Sequence, residues 1–454
     1  MRVLIAPDSF KGSLGAAAVA AALAEGWLRV RPRDHVSRLP LADGGEGTLD
    51  VLAATVPGVR WHRAKVTGPG GAPVIARWLE LPPGLSGGAS GTPGGQRGRG
   101  QNSAATLPAD RPVPVQQGRG AAGRTRGLPP LGANTAVVEL ARASGLPLLA
   151  RPDPMGAQTA GLGELLGRAL DAGVGRILVG LGGSASTDGG TGALAALGAR
   201  FLDAAGNPLS PGGGALVGLT AVDLSGLRGA PGGGVICLTD VTAPLLGVRG
   251  AAAVFGPQKG ADGDQIARLE AGLARLAKVL GGDPSAPGAG AAGGTGYGLA
   301  VAWGASLTPG AAELGRLAGL DRTLAGADLV ITGEGRFDET SLTGKTCGTV
   351  IAAAAAAGVP VAVVAGQTSD AFAGPAGGGT PGGAQGLIGV VTLAGLAGGT
   401  AGAMARPRRW LRAAGGRLAS DFGGKFPGPA GELPGMSNPA DSDSAGEGSR
   451  RGRC

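Results

Sequence analysis

Acidic, hydroxyl and lysine side chains gather in five glycine-rich segments of the 454-residue chain, each of which follows a short apolar run. The segments are 8–12, 43–48, 182–190, 239–242 with 256–260 downstream, and 333–338 with 343–346. Glycine lets backbone N–H groups come close to an anion, carboxylates hold Mg²⁺, and lysine binds phosphate oxygens. This mixture is the one that phosphoryl transfer needs.

A carboxylate must supply any proton transfer, because the chain contains only two histidines, His35 and His62. His62 lies in a polar run that is typical of a protein surface. Any one of the five segments alone is more typical of a turn, since glycine and aspartate both tolerate turn conformations. Five of them together, each after an apolar run, favour a shared binding site.

Two local patterns offer competing interpretations. Residues 343–346 resemble the end of a phosphate-binding P-loop, but that motif requires glycine at position 339, where the chain has Glu339. Residues 180–185 fit the G-x-G-x-x-A dinucleotide pattern, although 187–190 interrupt the start of the expected helix. A dinucleotide-binding oxidoreductase acting on a small hydroxy acid therefore stays open as the alternative. A serine hydrolase is disfavoured, because neither Ser184 nor Ser186 lies in a G-x-S-x-G motif.

Apolar runs and helical patterns alternate along the chain, and the rhythm predicts a doubly wound α/β sheet. Strands are predicted at 2–6, 35–39, 72–81, 135–140, 176–181, 234–239, 328–332, 360–365 and 387–392. Helices are predicted at 13–30, 46–55, 157–172, 191–199, 262–280, 348–357 and 404–420. Ser13 is the expected N-cap of the first helix. Segments 288–298 and 333–346 are expected to be loops.

Glycine (94 residues) and proline (33) are unusually frequent, and many of them lie in 82–133, 374–386 and 423–454. Residues 82–133 lose all periodicity and are expected to form a disordered insert, as is the tail from 423. The insert holds six Arg against one Asp, so most of the net charge of +8 belongs to it. With aromatic residues at 3%, the basicity does not indicate a nucleic-acid partner.

The compartment is expected to be the cytoplasm. Three scattered cysteines, Cys237, Cys347 and Cys454, give neither a disulfide framework nor a metal-binding spacing. The first residues resemble a strand more than a signal peptide, and polar residues interrupt the longest apolar stretches, so no membrane span is expected.

Several of these segments together resemble the bacterial glycerate kinase family, of the glycerate 2-kinase type. The resemblance rests on residues 6–13 (APDSFKGS), 42–48 (ADGGEGT), 182–190 (GGSASTDGG), 254–261 (VFGPQKGA), 288–294 (GAGAAGG) and 331–338 (ITGEGRFD) with Gly344 and Lys345. Their order and spacing agree over roughly 1–80 and 134–421.

The resemblance implies ATP- and Mg²⁺-dependent phosphorylation of D-glycerate, most often to 2-phosphoglycerate and less often to 3-phosphoglycerate. It also implies a Rossmann-like domain formed by 1–65 and 295–421, and a second α/β domain inserted at 66–294. The active site is expected in the cleft between the two domains, in a monomer or homodimer. Residues 422–454 would form a disordered tail.

Residue type and loop position suggest the roles of individual side chains. Asp188 is the first candidate for the general base, followed by Asp8, and Lys11 would assist catalysis. The candidate Mg²⁺ ligands are Asp43, Glu46, Asp240 and Glu334. The candidate substrate- and nucleotide-binding residues are Ser9, Lys11, Gly44, Gly45, Gly182, Gly183, Ser184, Thr187, Lys259, Gly293, Gly294 and Lys345.

The chain departs from the family pattern at three places. The insert 82–133 is not part of that pattern. Ala243 replaces a usual Asn, so any ligand contact of that amide is in doubt. Glu339 stands beside Asp338, where the acidic pair could alter metal affinity.

Overall fold

Two large β-sheets organise the chain in the computed structural model, which describes residues 1–84, 134–342, 345–369 and 386–425. Most of the predicted insert and the predicted tail lie outside these described residues. The strands are β1 (Arg2–Ile5), β2 (His35–Arg38), β3 (Arg60–Thr67), β4 (Pro73–Leu81), β5 (Thr135–Glu139), β6 (Arg176–Gly180), β7 (Arg200–Leu202), β8 (Ala221–Asp223), β9 (Val235–Leu238), β10 (Ser306–Thr308), β11 (Leu329–Phe337), β12 (Val361–Thr368) and β13 (Leu387–Thr392).

Helices cover both faces of each large sheet. They are α1 (Ala16–Val30), α2 (Thr48–Thr55), α3 (Ala141–Ser144), α4 (Ala160–Asp171), α5 (Thr191–Ala196), α6 (Ala251–Phe255), α7 (Gly263–Leu280), α8 (Ala291–Trp303), α9 (Gly310–Ala318), α10 (Leu320–Leu324), α11 (Thr346–Ala356), α12 (Leu393–Ala397), α13 (Thr400–Ala405) and α14 (Pro407–Lys425). None of the helices in the described part of the chain is long and apolar enough to cross a membrane.

The first sheet has the strand order β13-β12-β11-β1-β2, and every pairing in it is parallel. Successive side chains of a strand point to opposite faces, so β1 feeds two cores. Val3 and Ile5 pack with residues of α1 and α14, whereas Leu4 packs with residues of α10 and α11. From β1 the chain proceeds to β2 on one side, while β11 leads to β12 on the other. The strand order therefore reverses between β1 and β11.

The second sheet has the strand order β10-β9-β6-β5-β4-β3. β3, β4 and β5 pair antiparallel, and the remaining pairs are parallel. Helices α4, α5, α7 and α8 contribute to the core on one face, and α2 and α9 contribute to the core on the other. The predicted fold class, a two-domain α/β protein with a Rossmann-like sheet, is confirmed.

Sheet membership suggests domain borders other than those expected at 65 and 295. β10 belongs to the second sheet although Ser306 lies beyond residue 294. In α2, Leu49 and Leu52 pack against Leu178 and Leu238 of that same sheet. We therefore propose borders near residues 43 and 309.

Three local predictions were wrong. Residues 333–337 do not begin a loop, because β11 continues through Phe337 and pairs with β12 as far as Thr368. Helix α8 begins at Ala291, within the expected loop 288–298, and left-handed backbone at 292–294 distorts its first turn. Ser13 does not cap α1: its hydroxyl donates to the carbonyl of Phe10, and Gly15 occupies the N-cap position.

Candidate active site

A cleft of about 380 Å³ opens at the carboxyl ends of the strands of the first sheet. It lies where the strand order reverses, between β1 and β11, which is the usual ligand position in an open α/β sheet. The predicted site residues that line it are Asp8, Ser9, Lys11, Asp43, Glu334 and Lys345. These six side chains come from four loops and strands that are widely separated in sequence, so the fold brings them together.

Asp8 follows β1 and is 9% exposed. Its Oδ1 accepts a hydrogen bond from the backbone N–H of Ser9 at 2.5 Å, and its Oδ2 accepts one from the hydroxyl of Thr346 at 3.0 Å. Burial, together with the negative charge of Asp43, raises the pKa of Asp8 to about 7. A carboxylate with this pKa can accept a proton at neutral pH.

Lys11 and Asp43 face each other across the cleft entrance. Nζ of Lys11 lies 3.5 Å from Oδ2 of Asp43, and 77% of the lysine side chain is exposed. The charge of Asp43 raises the pKa of Lys11, which keeps the ammonium protonated. Oδ1 of Asp43 accepts the backbone N–H of Gly45, which fixes the carboxylate in its loop. The exposed ammonium is therefore accessible to an anionic ligand.

Asp240, at the carboxyl end of β9, approaches the same region from the second sheet. Its Oδ1 accepts hydrogen bonds from the backbone N–H groups of Gly310 and Ala311, in the first turn of α9. Burial and the charge of Asp43 raise the pKa of Asp240 to about 7. Asp240 and Asp8 thus share Asp43 as an electrostatic neighbour, so the three carboxylates form one acidic cluster.

Two buried carboxylate oxygens in this region lack a hydrogen-bond partner among the described residues: Oδ2 of Asp240 and Oε1 of Glu334. Burial raises the pKa of Glu334. Oxygens of this kind, beside a cluster of like charges, fit a divalent cation. Among the described residues, no three His, Cys, Asp or Glu side chains form a complete metal cage. Mg²⁺ usually takes one or two carboxylates and completes its shell with water and substrate phosphates, so Asp240 and Glu334 stay candidate ligands on the strength of their unpartnered oxygens.

Lys345 precedes α11, and its Nζ donates to the hydroxyl of Thr340 at 2.8 Å. Lys345 adds a further cation to the cleft, which Lys11 and Arg336 also line. Glu46, in contrast, is exposed and does not line the cleft.

Asp188 lies away from the cleft and is fully buried. Its Oδ2 accepts the backbone N–H and the hydroxyl of Thr159 at 2.9 and 2.7 Å, together with the N–H of Gly192. Its Oδ1 accepts the hydroxyl of Ser186 and the N–H of Gly190. Five donors occupy the carboxylate, so this geometry suits a group that holds the loop 182–190 in shape.

Lys259 lies beneath the same loop and is 2% exposed. Its Nζ donates to the carbonyl oxygen of Ser186, and burial lowers the pKa of Lys259 to about 8. Thr187 is fully buried, and its hydroxyl has no partner among the described residues. Ser184 is partly exposed and contacts Ser186. These residues form a cluster separate from the acidic cleft.

The predicted glycines serve close packing between backbone segments. A Cβ atom on Gly182 would lie 2.5 Å from Cα of Gly45, and one on Gly44 would lie 2.8 Å from Cβ of Leu238. Gly293 has a φ of +65°, and its Cβ would meet the carbonyl oxygen of Ser186 at 2.1 Å. The remaining two predicted glycines, Gly183 and Gly294, both have a positive φ. Gly294 is buried, whereas Gly183 is exposed.

Sequence reasoning missed several residues of the cleft. Thr346 does not itself line the cleft, but its hydroxyl bonds to Asp8, whereas the sequence suggested only the end of a loop there. Arg336 and Gln367 lie side by side at the ends of β11 and β12. A polar residue at the end of a predicted strand was the available signal for Gln367. Ala243 leaves no side-chain amide at its position, and its carbonyl accepts the N–H of Gly290.

The dinucleotide pattern at 180–185 does not open a helix. After β6 the chain makes a loop with positive φ at Gly183, Gly189 and Gly190, and α5 begins only at Thr191. The structural context that this fingerprint requires, a strand leading directly into a helix N-terminus, is therefore missing.

Comparison with known proteins agrees with the geometry of the site. A family model described as "Glycerate kinase family" matches residues 3–87 and 104–422. The chain is 39% identical over 379 residues to the glycerate kinase of Bacillus subtilis strain 168, covering 81% of this chain and 86% of the relative. It is 37% identical over 378 residues to the glycerate 2-kinase of Escherichia coli strain K12, covering 82% and 86%.

A solved structure from Salmonella typhimurium LT2, described as a glycerate kinase 2, is also similar. It superimposes with a TM-score of 0.67 at 35% identity and covers 93% of this chain and 98% of that one. Within the predicted insert, the family match leaves out only residues 88–103, so the inserted segment outside the family pattern is shorter than the predicted 82–133.

Proposed function

The chain belongs to the glycerate kinase family of enzymes, and from that premise we propose that it transfers the γ-phosphate of ATP to a hydroxyl of D-glycerate. The products would be ADP and 2-phosphoglycerate, with 3-phosphoglycerate the less favoured isomer. The observation that supports this reaction most strongly is the gathering of Asp8, Asp43, Glu334, Lys11 and Lys345 in one cleft where the strand order reverses.

Asp8 is the general base in this proposal. The glycerate hydroxyl gives its proton to the carboxylate of Asp8, and its oxygen forms a bond to the γ-phosphorus. The bond between that phosphorus and the β–γ bridging oxygen breaks, and ADP leaves with the electron pair. The pKa of about 7 for Asp8 supports this role, because the group is then partly ionised at neutral pH and basic enough to accept the proton. Asp188 is the weaker candidate, because five donors already occupy its carboxylate.

Lys11 and Lys345 supply positive charge to the anionic groups. The ammonium of Lys11 is exposed at the entrance of the cleft and is held protonated by Asp43. It is placed to bind either a phosphate or the glycerate carboxylate. Lys345, the residue before α11, also lines the cleft and can bind a phosphate oxygen.

The candidate Mg²⁺ ligands are Asp240 and Glu334, each of which has a buried oxygen without a partner among the described residues, and Asp43, whose charge acts on Asp240. When bound, the ion would neutralise charge on the nucleotide phosphates. Glu46 is too exposed to be a strong candidate ligand.

The test is a coupled assay of ADP release with D-glycerate, L-glycerate, glycerol and hydroxypyruvate as acceptors. We expect release with D-glycerate, and ³¹P NMR of the product identifies the phosphorylated hydroxyl. Failure of D-glycerate to stimulate ADP release would contradict the proposal. Thermal stabilisation by NAD(P) in place of Mg-ATP would favour the oxidoreductase alternative.

We also propose a cytoplasmic location. The two cysteines in the described part of the chain, Cys237 and Cys347, are buried free thiols, which suits a reducing compartment.

A further inference from the structure

The cleft has two chemically different ends. Asp8, Lys11 and Asp43 lie at one end, near the carboxyl ends of β1 and β2. At the other end, beside β12, the wall consists of Leu393, Ala403, Met404 and Pro407, from the last three helices. Leu393 and Ala403 are buried, so the accessible apolar surface at this end belongs to Met404 and Pro407. Glycerate is a small polar anion with no apolar group to place against them. The apolar end therefore suits a ligand other than glycerate, or an apolar part of the second substrate.

Met404 is the most unusual of these wall residues, because 57% of it is exposed. Among large apolar residues in the described part of the chain, only Ile75 and Val248 are more exposed, and neither lines the cleft. Methionine is flexible and polarizable, and it is common on surfaces that adapt to a ligand. An exposed methionine inside a cleft thus indicates a binding surface for an apolar, planar group.

The floor between the two ends is backbone. Gly335 of β11 and Gly366 of β12 lie there, and a Cβ atom on Gly366 would sit 2.3 Å from the carbonyl oxygen of Gly335. Glycine at position 366 therefore lets the two strands approach closely, and both glycines line the cleft without a side chain. Arg336 and Gln367, which pair in register, flank the floor with polar groups. Oε1 of Gln367 accepts the hydroxyl of Thr400 at 3.3 Å, at the apolar end.

The distance between the ends is about three strand spacings, from β2 to β12, or roughly 14 Å. That length is comparable to a triphosphate with its ribose attached. We propose that the apolar end binds the base and ribose of the nucleoside triphosphate, with Met404 contacting the base, while the acidic end binds the terminal phosphates and glycerate. The inference rests on the proposed kinase function and adds the orientation of the nucleotide to it.

The experiment compares Met404→Asp with Ile75→Asp, a control at a residue of nearly equal exposure (59%) outside the cleft. We expect the KM for ATP of Met404→Asp to rise about tenfold or more, with the KM for D-glycerate unchanged. Ile75→Asp should leave both constants unchanged. Met404→Gln, which adds an amide and no charge, should give a smaller rise in the same constant.

Inorganic triphosphate separates the base from the phosphates. If Met404 contacts the base, Met404→Asp weakens the binding of ADP, measured by calorimetry, but leaves inhibition by triphosphate unchanged. Equal weakening of both ligands, an unchanged KM for ATP, or a change in the KM for D-glycerate would each overturn the inference. Calorimetric binding of ADP requires no turnover, so the inference remains testable even if D-glycerate proves not to be the acceptor.

Discussion

The hydroxyl of Thr346 donates a hydrogen bond of 3.0 Å to Oδ2 of Asp8, across 338 positions of the chain. Both residues are nearly buried, at 1% and 9% exposure. The bond ties the first residue of α11 to the loop after β1, on the two sides of the point where the strand order reverses. With the backbone N–H of Ser9 on its other oxygen, the Asp8 carboxylate is fixed in orientation before any ligand binds.

Replacing Asp8 by Asn should lower kcat by about 10²-fold or more, because the proposed general base is lost while the side-chain volume is kept. Thr346→Val is the matched comparison: it removes a hydrogen bond that lowers the pKa of Asp8, yet leaves the carboxylate in place. We expect Thr346→Val to retain most of kcat at high pH. Steady-state kinetics and a thermal melt of each variant provide the measurement, and an active Asp8→Asn enzyme would remove Asp8 from this role.

The pH dependence of kcat should follow the ionisation of Asp8. Its pKa is raised from 3.8 to about 7, so the base becomes protonated and the rate falls as the pH drops through about 7. Thr346→Val should move this acidic limb to higher pH.

The raised pKa of Asp8 also makes stability depend on pH, because the folded protein binds the proton more tightly than the unfolded chain. The stabilising contribution is therefore complete below about pH 4 and lost as the pH rises through about 7. Asp8→Asn should remove that part of the pH dependence in urea denaturation curves.

Asp188→Asn should act mainly on stability. The NH₂ group of Asn is itself a donor and would face N–H and O–H groups whose hydrogen bonds the carboxylate now accepts. Because at least one donor would lose its partner, we expect the free energy of unfolding to fall by about 1–3 kcal/mol. Asp203→Asn, in an exposed turn with two backbone donors, is the control and should change little. A well-folded Asp188→Asn protein with a kcat about 10²-fold lower would instead identify Asp188 as the base.

Asp240→Asn should raise the Mg²⁺ concentration needed for half-maximal activity, by about tenfold or more. The variant removes a charge next to the buried Oδ2, which has no partner among the described residues. Asp264→Asn, in the first turn of α7 and away from the cleft, serves as the control. If half-saturation by Mg²⁺ is unchanged in Asp240→Asn, Asp240 is not a ligand.

Deleting residues 85–133 should leave kinase activity unchanged. Leu81 of β4 pairs with Thr135 of β5, so Pro82, Pro83, Gly84 and Asn134 can join the two strands as a four-residue hairpin loop. β5 runs parallel to β6, whose carboxyl end leads to the site, so the flanking residues Gly84 and Asn134 lie at the opposite end of these strands. The shorter connection should raise stability by up to about 2 kcal/mol through loop-closure entropy. A lower melting temperature or lost activity would show that the segment contributes to the folded body.

The sequence by itself determined the fold class and most strands and helices. These predictions succeeded because the apolar runs of parallel strands are local signals. The sequence also singled out Asp8, Lys11, Asp43 and Glu334, which line one cleft because the carboxyl ends of parallel strands meet at one edge of a sheet; their roles stay predictions. The glycine-rich loops were also recognisable from the sequence, because each of them follows such an apolar run.

Only the tertiary structure separated the acidic cleft from the cluster around Asp188. Both follow strand ends and have the same composition of Asp, Ser, Thr and Lys, so sequence could not rank them. The difference lies in burial and in hydrogen-bond partners such as Thr159, which is 29 residues from Asp188. The bond between Thr346 and Asp8, and the apolar wall at Met404, likewise depend on packing between distant segments. The distances between these segments depend on the order of the strands in the sheet, which no local sequence pattern encodes.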